Sequence, residues 1–161
     1  MKPKKITITV KQLEDFMPCD ESKQVWPREL LRDGKMTVLW TADCAIMLAR
    51  ADEKGPQVGA LCWLESRRLV PRVLTGTDLR GKDLTECNFD SADFRKSDLR
   101  DVSFKYSYTN FCDFRGADMR GTVISNYYGC KFDGAKRLPT DTPIYGYDLN
   151  KNGRLRKNKQ Y

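Results

Sequence analysis

Apolar residues recur every five positions from Arg72 to about Arg137, and the first 70 residues show no trace of that rhythm. Divided in fives from Arg72 the chain reads RVLTG TDLRG KDLTE CNFDS ADFRK SDLRD VSFKY SYTNF CDFRG ADMRG TVISN. The central residues are Leu74, Leu79, Leu84, Phe89, Phe94, Leu99, Phe104, Thr109, Phe114, Met119 and Ile124. All but Thr109 are large and apolar, and the residue before the centre is usually Asp or Asn. A helix repeats every ~3.6 residues and a strand every 2, so neither reproduces this period. A chain that turns a square corner once per block does, and self-similarity at a fixed period outranks local propensity.

Ala92-Asp93-Phe94 and Ala117-Asp118-Met119 stand close to the block A-(D/N)-L-x-x, and the consecutive run resembles the pentapeptide-repeat family. The resemblance implies a right-handed quadrilateral β-helix over residues 71–137. It also implies that the central residue and the small residue two before it point inward, while the other three face solvent. The second inward column is then Thr77, Lys82, Cys87, Ala92, Ser97, Val102, Ser107, Cys112, Ala117 and Thr122. Lys82 is the misfit, but in the first coil its amine can escape at the open end. After Ile124 the frame loosens. The next centre falls on Gly129, whereas the apolar residue is Phe132, which reads as an insertion in the last coil.

The flanks follow other patterns. Residues 1–70 are expected to form a small helical head that caps the solenoid. Thr9 can cap a helix over Val10–Met17, stopped by Pro18. Pro27 suits the first turn of a second helix, PRELLRD, ended by Gly34. Thr41 can cap a third, ADCAIMLARAD, and Gly55-Pro56 breaks the chain before QVGALCWLESRRL. Trp26, Trp40 and Trp63 all lie here and read as core. The head faintly resembles the helical heads of some phage and bacterial repeat proteins. Residues 138–161 form a basic tail in which Ile144–Leu155, with Asn152-Gly153 at the tip, predicts a β-hairpin. The same residues spell D-x-N-x-N-G, but Lys159 stands where a calcium loop needs Glu, so the hairpin is preferred. The fold is therefore expected to be mixed α and β: helical head, short β-helix, hairpin tail.

Composition excludes more than it suggests. The 161 residues include no histidine, no Gly-rich phosphate loop, and no Ser or Cys beside a plausible base, so no catalysis is expected. The six cysteines (Cys19, Cys44, Cys62, Cys87, Cys112, Cys130) have no C-x-x-C pair, and neither metal nor cofactor is expected. Cys87 and Cys112 fall in the inward column and read as reduced packing residues, which suits the cytoplasm. Met1-Lys2-Pro3-Lys4-Lys5 is basic but no apolar stretch follows it as in a signal peptide, and no run approaches the ~20 apolar residues of a membrane span. The net charge of +7 is spread along the chain, which favours a solvated surface over a nucleic-acid footprint. The basic tail leaves direct nucleic-acid contact open, and a homodimer is compatible with everything above.

Four blocks per coil would stack residues twenty apart, at about 4.8 Å. Asp78, Asp98 and Asp118 then form an acidic ladder with Arg80, Arg100 and Arg120 beside it, and Asp93/Asp113 with Arg95/Arg115 repeat this one face away. Tyr106, Tyr108 and Phe111 occupy outward positions around the weak Thr109 block. Tyr108 and Tyr128 should stack, with Tyr127 alongside and Arg115 and Lys131 at the rim. Exposed aromatics near basic residues resemble an interaction hot spot, unless the tyrosine-rich tail hairpin covers them. The expectation is a non-catalytic protein of the phage or mobile-element inhibitor type, occupying a host protein or nucleoprotein complex. The runner-up follows from the family resemblance: a gyrase-binding DNA mimic using the acidic ladder. Mimicry needs uncompensated carboxylate rows, whereas here Arg follows Asp two residues later in five blocks.

Overall fold

The computed structural model describes residues 4–9, 11, 31–33, 35–50, 65, 68 and 70–158. In the repeat segment most blocks end in a corner closed by a backbone hydrogen bond back to the central carbonyl. Ala92 N donates to Phe89 O at 2.8 Å, Ser97 N to Phe94 O at 3.2 Å and Ala117 N to Phe114 O at 3.0 Å. Two residues after the centre the backbone takes a positive φ, from Gly76 (65°) through Lys96 (59°) and Phe111 (57°) to Gly121 (73°). One positive φ at the third position of a closed turn is type II geometry. Between corners the chain pairs in parallel with the next coil, as at Asp78 with Asp98, Asn88 with Tyr108 and Ser103 with Val123.

Four corners close a twenty-residue coil and sort the central residues into columns. Face 1 is centred on Leu74, Phe94, Phe114 and Phe132; face 2 on Leu79, Leu99, Met119 and Arg137; face 3 on Leu84, Phe104 and Ile124; face 4 on Phe89, Thr109 and Tyr127. The face 1 rings stack flat, Phe94 on Phe114 and Phe114 on Phe132 each at 5.2 Å. Phe89 and Phe104 meet Phe94 edge-on at 5.3 and 5.5 Å. Stacked and edge-on pairs suit the ring quadrupole, so this fully buried spine gains beyond its apolar area.

The last coil is shorter, not longer. Asp113 pairs with Lys131 and Asp118 with Lys136, steps of eighteen, so the expected insertion is a two-residue deletion. It falls between Ile124 and Tyr127, because Phe104 N still bonds Val123 O in the ordinary register while Phe111 N bonds Tyr128 O in the shortened one. Thr109 accounts for the weak block. Its buried hydroxyl donates to the Asn126 carbonyl where the coil is cut short, which no Leu or Phe could do.

Both solenoid ends are covered. In the head, strands β1 (Lys4–Thr9), β2 (Leu31–Arg32) and β3 (Lys35–Trp40) form an antiparallel sheet ordered β1-β3-β2. The expected PRELLRD helix is therefore wrong at its end: Leu31 and Arg32 pair with Met36 and Lys35 across a turn in which Asp33 takes φ 50°. Cross-strand pairing overrides the helix propensity of this stretch. The helix expected over Val10–Met17 and the stretch 57–69, with Trp26 and Trp63, lie outside the described residues apart from single positions. Helix α1 (Ala42–Ala49) starts where Thr41 predicts, the Thr41 hydroxyl accepting from Cys44 N at 3.3 Å. Its end lies against the first coil: Arg50 pairs with Cys87, and Asn88 N donates to Ala49 O. Buried Trp40 donates through Nε1 to Pro71 O at 2.9 Å, and Lys82 escapes outward to Asp43 at 2.7 Å.

At the other end the expected hairpin is present as β4 (Tyr147–Leu149) and β5 (Leu155–Lys157), with Asn152-Gly153 in its loop. The strand end lies antiparallel on the last coil: Leu155 N donates to Ala135 O at 2.8 Å, and Gly134 N to Leu155 O at 2.9 Å. Arg137 fills the final face 2 centre and is buried. Its guanidinium donates to Thr122 O at 2.9 Å and Thr142 O at 2.8 Å, and pairs with Asp141 at 3.5 Å. An apolar residue here would leave the last carbonyls without donors.

Phe94→Ala should cost roughly 3–5 kcal/mol in a denaturant melt, because it opens a cavity in the ring spine. The exposed neighbour Arg95→Ala should cost far less, and equal losses would refute the inward/outward assignment. Asp141→Ala strands a buried guanidinium and should cost roughly 3–5 kcal/mol. At the head junction, burial pushes buried Glu65 up from 4.5 to about 7, against the opposing pull of Arg72. The folded state therefore holds this proton longer than the unfolded one, and the contribution is present below about 4.5 and lost as pH rises through about 7. Melting temperature followed against pH should decline across that window, and Glu65→Gln should flatten the decline.

Candidate interaction face

The four faces carry different chemistry. Faces 1 and 2 are charged but internally neutralised. On face 2, Arg80 donates to Asp78 at 2.9 and 2.6 Å, Arg100 to Asp98 at 2.9 and 2.8 Å, and Arg120 to Asp118 at 2.8 Å through both nitrogens. Two-pronged donation of this kind is the strong form of the arginine–carboxylate bond. Arg80 also reaches Asp98 at 3.4 Å, and Lys136 reaches Asp118 at 3.5 Å, so the rows are zipped along their length. Hydrogen bonds from Arg80 hold the Asp78 carboxyl down at about 2, and those from Arg100 and Arg120 lower Asp98 and Asp118. On face 1, burial pushes Asp93 up, but bonds from Arg95 and Arg72 outweigh it and hold it at about 2.

Face 4 carries aromatic rings and amides. Tyr108 projects from its middle, Tyr106 from one corner and Phe111 from the other, with Asn88, Asn110 and Asn126 between. Tyr106 is 70% exposed, Phe111 59% and Tyr128 75%. The tail hairpin does not cover them. It reaches only half-buried Tyr127, whose hydroxyl accepts from Tyr145 N at 3.4 Å and whose ring meets Phe132 edge-on at 5.8 Å.

The shortened coil rearranges the expected ring pairs. Counted in steps of eighteen, Tyr128 falls in the column of Asn110 rather than of Tyr108. It meets Phe111 edge-on instead, at 5.5 Å. Gly129 makes that contact fit: a Cβ there would lie 2.5 Å from Phe111 Cδ1, and its φ of 68° favours glycine. Arg115 and Lys131 sit on face 1, around the corner from the rings. Arg115 is tied to Asp113 at 2.9 and 2.6 Å, and Lys131 stacks in the Asp113 ladder. The cation nearest the rings is Lys105, whose Nζ lies 4.9 Å over Tyr106. Exposed Tyr145, which the sequence placed in the tail, lies beside Tyr127, to whose hydroxyl its backbone N–H donates.

Tyr106 and Phe111 hold φ of 62° and 57°, at the corner position where four of the eleven blocks place glycine. A left-handed conformation costs an L-residue roughly 1–2 kcal/mol. Two large rings at strained and exposed corners are the kind of outlier that stability alone does not select.

Residues 73–105 and 97–126 match the family described as pentapeptide repeats, in eight copies. No curated protein matches the chain. Among solved structures it is similar to a pentapeptide repeat protein from the Arabidopsis thaliana thylakoid lumen, with 25% identity and a TM-score of 0.23. The match covers 42% of this chain and 58% of that one, a little over half of its length.

The strain at Tyr106 is measurable. Tyr106→Gly should be more stable than Tyr106→Ala by about 1 kcal/mol in parallel urea melts, the reverse of the usual order at a surface site.

Proposed function

Because residues 73–126 are pentapeptide repeats, which build right-handed β-helices serving protein interaction, we propose that this chain is a non-catalytic binding protein whose face 4 occupies a macromolecular partner. A host protein or nucleoprotein complex, held by an inhibitor of the phage or mobile-element type, is the setting this reading favours. The observation that carries it is the cluster of Tyr106, Tyr108, Phe111 and Tyr128, left exposed on a rigid support. Tyrosine offers a large contact area with few rotamers to freeze, and a β-helix has little backbone entropy left to lose. The charges on and beside face 4, Glu86, Asp90 and Lys105, are few and of both signs, so affinity should depend only weakly on salt.

The gyrase-directed DNA-mimic reading needs free carboxylate rows, and Asp78, Asp98 and Asp118 are each held by an arginine. Capture of partners from a bacterial lysate by the immobilised protein, read by mass spectrometry, tests the choice. Tyr108→Ala with Tyr128→Ala should weaken the captured complex by over ~1 kcal/mol, at least about fivefold in Kd, with the fold intact. Changing Asp78, Asp98 and Asp118 to Asn should leave it bound. The reverse pattern, together with inhibition of gyrase supercoiling, would install the DNA mimic instead.

A further inference from the structure

Cys112 and Cys130 follow Ala92 in the inward column of small residues. The eighteen-residue step sets them on adjacent rungs, since Lys131 N donates to Cys112 O at 3.0 Å and Asp113 pairs with Lys131. Rungs about 4.8 Å apart fall within the Cα separation of about 4.4–6.8 Å that a disulfide spans. The two thiols also point the same way. Cys112 Sγ donates to Phe89 O at 3.0 Å and Cys130 Sγ to Thr109 O at 2.7 Å, each the central face 4 carbonyl of the coil before. Cys112 is buried, whereas Cys130 is only half-buried. Cys87, by contrast, is followed in its own column by Ser107, which offers no sulfur.

We infer that Cys112 and Cys130 join as a disulfide when the protein meets a peroxide, a modification that latches the shortened coil. The Cys130 thiolate attacks one peroxide oxygen, the O–O bond breaks, and sulfenic acid forms as hydroxide leaves and is protonated to water. Cys112 then loses its proton and attacks the Cys130 sulfur. The S–S bond forms as the S–O bond breaks, and a second water departs. Two thiols surrender two protons and two electrons, and the peroxide becomes two waters. Burial raises the Cys112 thiol well above the usual range, so the closing step is slow at neutral pH and quickens as pH rises. The bond would tie together the ends of the segment that carries Tyr127 and Tyr128 without altering either ring, and it does not depend on which partner face 4 binds.

The test treats the full chain with hydrogen peroxide at neutral and raised pH, followed by intact mass and non-reducing peptide mapping. The expected product is lighter by two hydrogens, contains one cross-linked Cys112–Cys130 peptide, melts higher than the reduced protein, and reverts with dithiothreitol. Cys112→Ala and Cys130→Ser should each abolish the cross-link and the melting shift. Ala92 shows that alanine fits the column. If Cys112→Ala nevertheless fails to fold, half-buried Cys130→Ser carries the comparison. A cross-link that persists in either variant, oxidation of Cys130 to sulfinic acid with Cys112 unchanged, or no cross-link at all would overturn the assignment.

Discussion

Most corners of the solenoid ask one residue to hold a positive φ while its own N–H bonds the coil above. Lys96 N meets Arg115 O at 3.1 Å, Asp101 N meets Arg120 O at 3.0 Å, and Gly116 N meets Asp133 O at 3.1 Å. The corner fixes the period, the period fixes the columns, and the columns decide which side chains are buried. Glycine meets the demand without strain, but Glu86, Ser91, Lys96, Asp101, Tyr106 and Phe111 meet it too. Inter-coil hydrogen bonds and the buried ring spine must offset that strain, so the core tolerates at the corners what an isolated turn would not.

Much of this was legible in the chain, because a repeat states its own geometry many times. The central column follows from spacing, the small inward column and the four-block coil behind the Asp–Arg ladders from the family resemblance, and the cap at Thr41 and the tail hairpin from local capping and turn residues. What failed was local and unrepeated. PRELLRD has good helix formers, yet Leu31 and Arg32 are in a strand, because pairing with β3 is a contact that no window of sequence records. Phe132 reads equally well as late by three or early by two, and only its stacking on Phe114 decides. Arg137 looks like an exposed cation after the last block, but it is the last inward residue. The aromatic face was half visible: its rings could be named, but their partners depend on the shortened coil.

The charged faces and the aromatic face are set apart around the coil. The acidic and basic rows of faces 1 and 2 satisfy one another, and exposed pairs of this kind add little stability. They offset the repulsion of stacked like charges along the coil. Face 4 carries large aromatic area instead, with amides and the Asp90 carboxylate among the rings.

The hairpin's direction has a consequence for growth. A β-helix is a parallel stack whose last rung can template another, and so, in principle, a second molecule end to end. Here the final rung meets Arg154 and Leu155 running the opposite way, while Arg137 occupies the carbonyls a further coil would need. At the start, Ala49 and Arg50 close the first rung from the head. The stack is sealed like a scroll with both rods fixed. Length can change only by inserting or removing a whole turn in the interior, where twenty residues, or eighteen, fit between neighbours already present.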